Sequence, residues 1–340
     1  MKRRKFIQNT GLLAVGSVTL TSLSSHTTNL KTTIKPKALQ KGDVIAITAP
    51  AGAIFNKTHI TKFEKRLHDL GYKTIKGKSL YQQKGYLAGS DDFRVNELHN
   101  FIKNKSVKAI IAMRGGWGCG RLLDKLDYEL IKQNPKIIMG YSDITSLLIK
   151  ISQQTGLITF HGPVGYSSWK SFSTQQFNNV VVDAKQVVMQ NPSNYKNDLK
   201  TLTKGVVKGE LIGGNLTVIT SMIGTKHEPN WHNKILFLEE TGEEPYRIDR
   251  MLWQLKQANV FKQINGVVLG AFTKCNPDEP EKSFSLDEVL NQYFKNKTLP
   301  VYKGATFGHI IPKFTLPIGV CVEIDSSKFT IKMLEQAVLK

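Results

Sequence analysis

Three runs of almost unbroken apolar residues, 44–49, 107–113 and 137–139, constrain this chain more than any other feature of its sequence. Strands that are apolar on both faces must be covered on both faces, which is the situation of a parallel sheet held between layers of helix. The segments between the runs supply that cover. Ile60, Phe63, Leu67 and Leu70 recur at helical spacing ahead of Gly71, and Val95, Leu98, Phe101 and Ile102 do so in a helix that begins near Asp91. A third helix is expected over 122–133. The alternation places the chain in the α/β class.

Beyond residue 165 the composition turns to Ser, Gln, Asn and Lys, and apolar periodicity returns only after 208. There a helix over 216–223, a strand over 234–239, a helix over 246–258 and a strand over 266–271 follow one another. A hairpin pairs 320–324 with 328–333 and turns at Ser326-Ser327. Domains typically hold ~100–150 residues, so 340 residues suffice for two cores. The expected division is a first domain over 41–165, a connection over 166–208 and a second domain over 209–340.

Residues 1–25 stand apart. Lys2, Arg3, Arg4 and Lys5 lead through Phe6-Ile7 into a short apolar stretch and then small residues, the layout of a secretory signal. The arginine pair points to the twin-arginine route and so to the periplasm or cell envelope. Cleavage after Ser24, with Ser22 two positions earlier, fits the small-x-small rule. The apolar stretch is too short and too rich in Ser, Thr and Gly for a membrane anchor, which needs ~20 apolar residues, so no transmembrane segment is expected once the signal is removed. Residues 26–40 read as a linker.

The formal charge of +20 becomes +16 without Lys2, Arg3, Arg4 and Lys5. Lysines are scattered instead of forming a stripe interleaved with aromatics, which argues against nucleic acid as a partner. Such a field suits anionic envelope polymers or merely solvated faces. Cys119, Cys275 and Cys321 cannot all pair within one chain, and free buried thiols fit a protein that folds before export. There is neither a His-Glu-x-x-His nor a Cys-x-x-Cys motif, which disfavours a zinc peptidase; no metal or cofactor is expected.

Four places could carry chemistry. In Lys136-Ile-Ile-Met-Gly-Tyr-Ser142-Asp-Ile-Thr-Ser146 an apolar strand meets Gly140, which permits a turn, and then a helix with Leu147, Leu148 and Ile151 inward. Ser142 at that turn serves either as a nucleophile above the sheet or as a plain helix N-cap, and the second glycine of the usual hydrolase elbow is lacking. The loop Arg114-Gly-Gly-Trp-Gly-Cys-Gly120 has the wrong spacing for a dinucleotide. Gly115 and Gly116 let backbone N–H groups approach an oxyanion or a carboxylate, or else make a tight turn. Glu239 and Glu240 end a strand, where sites in α/β domains usually lie. His309 and His161 each stand near a turn, and neither is persuasive alone.

Taken in order, Arg114-Gly-Gly-Trp117-Gly, Pro135 to Thr145 around Ser142, Thr159-Phe-His-Gly-Pro163, Gly209 to Asn215 with its Gly-Gly pair, Phe237-Leu-Glu239-Glu to Arg250, and Gly308-His309 with Thr315-Leu-Pro-Ile-Gly319 resemble the LD-carboxypeptidase family of serine peptidases. That family includes the microcin C self-immunity peptidases. The resemblance spans roughly 41–335. It implies a Rossmann-like (flavodoxin-like) parallel-sheet N-terminal domain bearing the serine, a smaller mixed α/β C-terminal domain with a β-barrel-like core, and a homodimer. It implies Ser142 as nucleophile, His309 as base and Glu239, ahead of Glu240, as the acid. On that reading the Asp143 and Gly116 N–H groups form the oxyanion hole, and Arg114, Gly115 and Trp117 bind substrate.

The activity implied is removal of the terminal D-alanine from peptidoglycan stem tetrapeptides, so the partners are peptidoglycan-derived peptides. Two other readings are a microcin-immunity type of cleavage, with Trp117 stacking a base, and a non-catalytic envelope peptide-binding protein.

Overall fold

The three apolar runs become neighbouring parallel strands. In the computed structural model, which describes residues 33–195 and 198–340, β1 (Val44–Thr48) lies beside β3 (Val107–Ala112), and β3 beside β4 (Ile137–Gly140). β2 (Lys73–Lys76) adds outside β1, and β5 (Thr159–His161) outside β4, all parallel. The signal peptide expected over 1–25 lies outside the described residues.

Helices α1 (Thr58–Asp69), α2 (Asp91–Lys103), α3 (Tyr128–Gln133) and α4 (Thr145–Thr155) connect these strands. Ser90 starts α2 by accepting the Phe93 N–H, with Asp91 and Asp92 in the first turn, where acidic side chains complement the helix dipole. The helix expected over 122–133 is shorter than its apolar pattern. The Asp127 carboxylate accepts the Leu130 N–H and begins α3 at Tyr128, leaving 120–122 as a single 3₁₀ turn.

The second half forms a mixed eight-stranded sheet that curls as a half-barrel. Its strands are β6 (Val188–Met189), β7 (Lys200–Thr203), β8 (Val206–Asn215), β9 (Lys234–Thr241), β10 (Gly266–Thr273), β11 (Val301–Lys303), β13 (Cys321–Asp325) and β14 (Thr330–Met333). β8 to β11 run parallel at the centre, flanked by antiparallel β13, β14 and β6 on one side and β7 on the other. The expected hairpin is β13–β14. The stretch read as a connection holds more order than its polar composition suggests, since it supplies helix α5 (Ser171–Phe177) and the edge strands β6 and β7.

Two segments tie the halves into one unit. β12 (Leu316–Ile318), from the last tenth of the chain, returns to pair antiparallel with β5, setting Leu316 opposite His161. Residues 33–40, read as linker, are pinned to the body: Ile34 bridges Leu157, Lys37 bridges Leu339, Lys35 pairs with Glu335, and Leu39 is buried.

The halves also meet where β8 ends. A Cβ on Gly214 would lie 2.3 Å from the Thr145 hydroxyl, and the Asn215 N–H donates to that hydroxyl at 3.1 Å. A Cβ on Gly213, at φ +153°, would lie 1.9 Å from the Phe237 carbonyl oxygen. Only glycine lets β8 approach both β9 and the start of α4 this closely. Gly213→Ala is therefore expected to destabilise the protein by on the order of 3 kcal/mol and to lower its Tm by roughly 5–10 °C in a thermal melt. An unchanged melt would show that β9 yields easily.

Candidate active site

Ser142 follows β4 in a 3₁₀ turn, Ser142–Ile144, that runs into α4. Its φ is +63°, a left-handed conformation that costs a non-glycine residue on the order of 1–3 kcal/mol and persists only where the surroundings enforce it. The hydroxyl caps neither the turn nor α4. This differs from the local reading in two respects: the serine is no N-cap, and the sharp turn falls on Ser142 itself, not on Gly140. Gly140 is required for packing, because a Cβ there would sit 2.6 Å from Ile144.

The glycine loop lies directly against this serine. A Cβ on Gly115 would stand 2.8 Å from the Ser142 Cβ and 2.9 Å from its Oγ. The far end of the loop is tied to the same turn by the buried Asp143 carboxylate, which accepts the Cys119 N–H at 2.8 Å. Burial raises the Asp143 pKa, with that N–H opposing, and it raises the Cys119 thiol well above its ordinary value, with the Asp143 charge adding to the effect. Cys119 is therefore an inert thiol.

Two N–H groups near Ser142 are available. That of Gly116, at φ +117°, donates to no group among the described residues, and that of Asp143 belongs to a first helical turn, where N–H groups lack intrahelical acceptors. Arg114 is held by the Gly115 carbonyl at 3.2 Å and the Ala53 carbonyl at 3.4 Å, with its guanidinium 5.6 Å from the Tyr166 ring centre. No carboxylate pairs with it among the described residues. A half-buried, unpaired guanidinium is suited to an incoming anion. Trp117 projects from the loop with 47% of its surface exposed.

The second half contributes an acid and a base. The His309 Nδ1 and Glu239 Oε2 are 2.7 Å apart, with Glu239 fully buried near the end of β9 and His309 on the loop after β11. Gly308 makes this possible: at φ +104° its absent Cβ would have met Glu239 Oε2 at 2.9 Å. The neighbouring Glu240 has other work. Its carboxylate accepts from Asn215 Nδ2 at 2.9 Å, the Thr217 N–H at 2.8 Å and the Thr241 N–H at 2.8 Å, which fastens β9 to helix α6 (Leu216–Met222). Burial nevertheless raises its pKa.

Of the two histidines left open by sequence, His309 is the one with a carboxylate. His161 sits among Tyr141, Phe237 and Phe307, with ring-centre distances of 5.9, 5.2 and 6.3 Å, and neither ring nitrogen has a hydrogen-bond partner. Burial pushes it down to about 4, so it is neutral at ordinary pH and packs as an aromatic wedge.

Tyr141 joins the two halves at this point. Adjacent to Ser142 in the chain, it presents its ring to His309 in a T-shaped contact at 4.9 Å. The Lys313 ammonium also lies against this ring, 4.1 Å from its centre. Sequence reasoning missed both residues, although Tyr141 lies within the quoted serine motif. Lys313 carries no local signal, because it reads as one more lysine in a lysine-rich chain.

A nucleophile-type serine turn, a facing histidine–carboxylate pair and free N–H groups have counterparts among known proteins. Family models for the N-terminal and C-terminal domains of LD-carboxypeptidases match residues 45–162 and 208–324. A probable murein peptide carboxypeptidase of Bacillus subtilis is 39% identical over 304 residues, 87% of this chain and 93% of that protein. Among solved structures, MccF in complex with glutamyl sulfamoyl guanosine aligns with a TM-score of 0.83 at 28% identity, covering 90% of this chain and 99% of that one. A muramoyltetrapeptide carboxypeptidase from Oxalobacter formigenes aligns with a TM-score of 0.75 at 28% identity, covering 85% and 97%. With both family domains matched and the first relative alike over nearly its whole length, this chain belongs to the LD-carboxypeptidase family of serine-type peptidases.

Proposed function

We propose that this protein is a serine carboxypeptidase that hydrolyses the bond before the terminal D-alanine of peptidoglycan stem tetrapeptides, with Ser142, His309 and Glu239 as its catalytic triad. The observation that carries the triad is the 2.7 Å contact between His309 and the buried Glu239 on a loop whose histidine faces Tyr141, the residue before the strained Ser142. The substrate follows from the family and from the named relatives.

Glu239 accepts the Nδ1–H of neutral His309, which leaves Nε2 as the base. Nε2 takes the Ser142 proton while Oγ bonds to the scissile carbonyl carbon, and the resulting oxyanion is met by the N–H groups of Gly116 and Asp143. The imidazolium then passes its proton to the departing D-alanine nitrogen, so the amide bond breaks and an acyl-enzyme ester remains. Water, deprotonated by the same histidine, cleaves the ester and restores Ser142. Arg114 receives the C-terminal carboxylate, whose lost hydration a guanidinium can replace. Gly115 gives the substrate backbone room, and Trp117 forms the exposed rim.

A twin-arginine leader would place this activity in the periplasm, where wall-derived tetrapeptides are trimmed, and the enzyme acts there as a homodimer. The microcin-immunity type of substrate is the second reading, favoured by the likeness to MccF and by the exposed Trp117 ring.

Purified protein incubated with a muramoyl tetrapeptide is expected to release D-alanine and the tripeptide by mass spectrometry, and Ser142→Ala to reduce release by roughly 10⁴-fold or more. Release by the alanine variant at the wild-type rate would falsify the assignment. An aminoacyl sulfamoyl nucleoside run in parallel decides between the two substrate classes.

The adjacent glutamates should separate cleanly. Glu239→Gln is expected to lower kcat by about 10³–10⁴ through loss of the oriented tautomer, with Tm unchanged or raised, because Glu239 Oε1 is buried without a partner. Glu240→Ala strands three donors and should cost about 3 kcal/mol of stability while leaving the larger share of activity below the melt. The opposite pattern in kinetics and melting would exchange their roles.

A further inference from the structure

Lys313 lies beside His309 and Glu239 yet has no part in the steps above. It is 3% exposed, on the loop between His309 and β12, and its backbone N–H is fixed by the Ser173 hydroxyl at 3.1 Å. Its Nζ is 4.1 Å from the Tyr141 ring centre and 3.5 Å from Ser167 Oγ, and no carboxylate pairs with it directly. Burying an ammonium without a contact ion pair costs several kcal/mol, and an apolar side chain of similar volume would fill the space at no such cost. The fold has no evident need of the charge.

The surroundings show a use for it. Glu239 is wholly buried, and its Oε1 has no hydrogen-bond partner, so when His309 is neutral the carboxylate has no cation in contact with it. The titratable groups around Lys313 are Glu239, His309, His161 and Tyr141. Of these His161 is pushed down to about 4 and Tyr141 is raised, both by burial. Glu239 is the charge that acts on Lys313 to favour its protonation, against a burial that brings the amine down to about 8. The ammonium also lies over the Tyr141 ring, which touches His309, and the attraction of a cation to an aromatic ring is greatest when both are desolvated.

We propose that Lys313 is a positioning residue: its ammonium holds the Tyr141 ring edge-on against His309 and supplies the positive charge that balances buried Glu239 while His309 waits, neutral, to take the Ser142 proton. This rests on the triad assigned above. Lys313 touches neither the substrate nor the reacting atoms; it acts through Tyr141 and Glu239.

The test is the rate at which a fluorophosphonate probe labels Ser142, measured below and above pH 8 on the full-length protein and on Lys313→Met, beside thermal melts and D-alanine release. Lys313→Met is expected to label roughly ten- to hundredfold more slowly when both proteins are assayed well below the variant's own Tm. The amine is protonated below about 8 and neutral above it, so wild-type labelling should slow as pH rises through that value, and the variant should lack that limb. Tyr141→Leu, which removes the ring, should join Lys313→Met. Labelling of Lys313→Met or Tyr141→Leu at the wild-type rate, a loss that merely tracks unfolding, or a limb near pH 8 that survives in Lys313→Met each overturns the proposal. Because labelling does not depend on the peptide, a wild type that labels but releases no D-alanine counts against the substrate reading alone.

Discussion

The close approach of Gly214 to Thr145, with Gly213 pressed against Phe237, is the contact on which the rest of this molecule depends. The serine follows a strand of one sheet, the glutamate lies on a strand of the other, and the histidine stands on the loop that runs between the two sheets. β8 can lie against the first turn of α4 because Gly214 leaves room for the Thr145 side chain, which brings the two halves together beside the serine turn. Gly213 lets β8 lie tightly on β9, which carries Glu239 and Glu240. A joint this close has little slack, and little slack is what a candidate site with residues from both halves requires.

Around that joint the charges are arranged with economy. Glu240 spends its carboxylate on three donors and locks β9 to α6, while its neighbour Glu239 turns to the opposite side of the strand, one residue and one face away. Alternation along a strand is thus sufficient to give adjacent glutamates unlike roles. His161, which looks chemically able in the sequence, is stripped of partners and left uncharged among aromatics. Its ring lies against Tyr141, the ring that Lys313 also touches.

How much of this can be read from residues alone depends on the range of the interaction involved. The parallel strands were legible because a strand buried on both faces has to be continuously apolar, and the hairpin β13–β14 because its turn and alternation are local. The helix over 122–133 was misjudged at its start, since apolar spacing continues through residues that the Asp127 cap excludes. The edge strands β6 and β7 were not visible, because they are short, half-exposed and defined by partners more than a hundred residues away. For the site, the serine motif and the glutamate pair could be found locally. The choice between Glu239 and Glu240, and between His309 and His161, could be framed only through resemblance, because each turns on a contact across the chain. Lys313 had no signature at all, since burial is a property of the fold and not of the residue.

The return of β12 to the edge of the first sheet has a consequence in time. β5 is synthesised early, and its partner Leu316–Ile318 only about 155 residues later, just after His309. The β5 edge of the first sheet therefore stays unpaired while those residues are made, and contacts so distant in sequence are slow to form. Assembly is correspondingly late and all at once. The serine turn is synthesised long before the histidine, and the strand that pairs with β5 is the one that follows the histidine out of the ribosome.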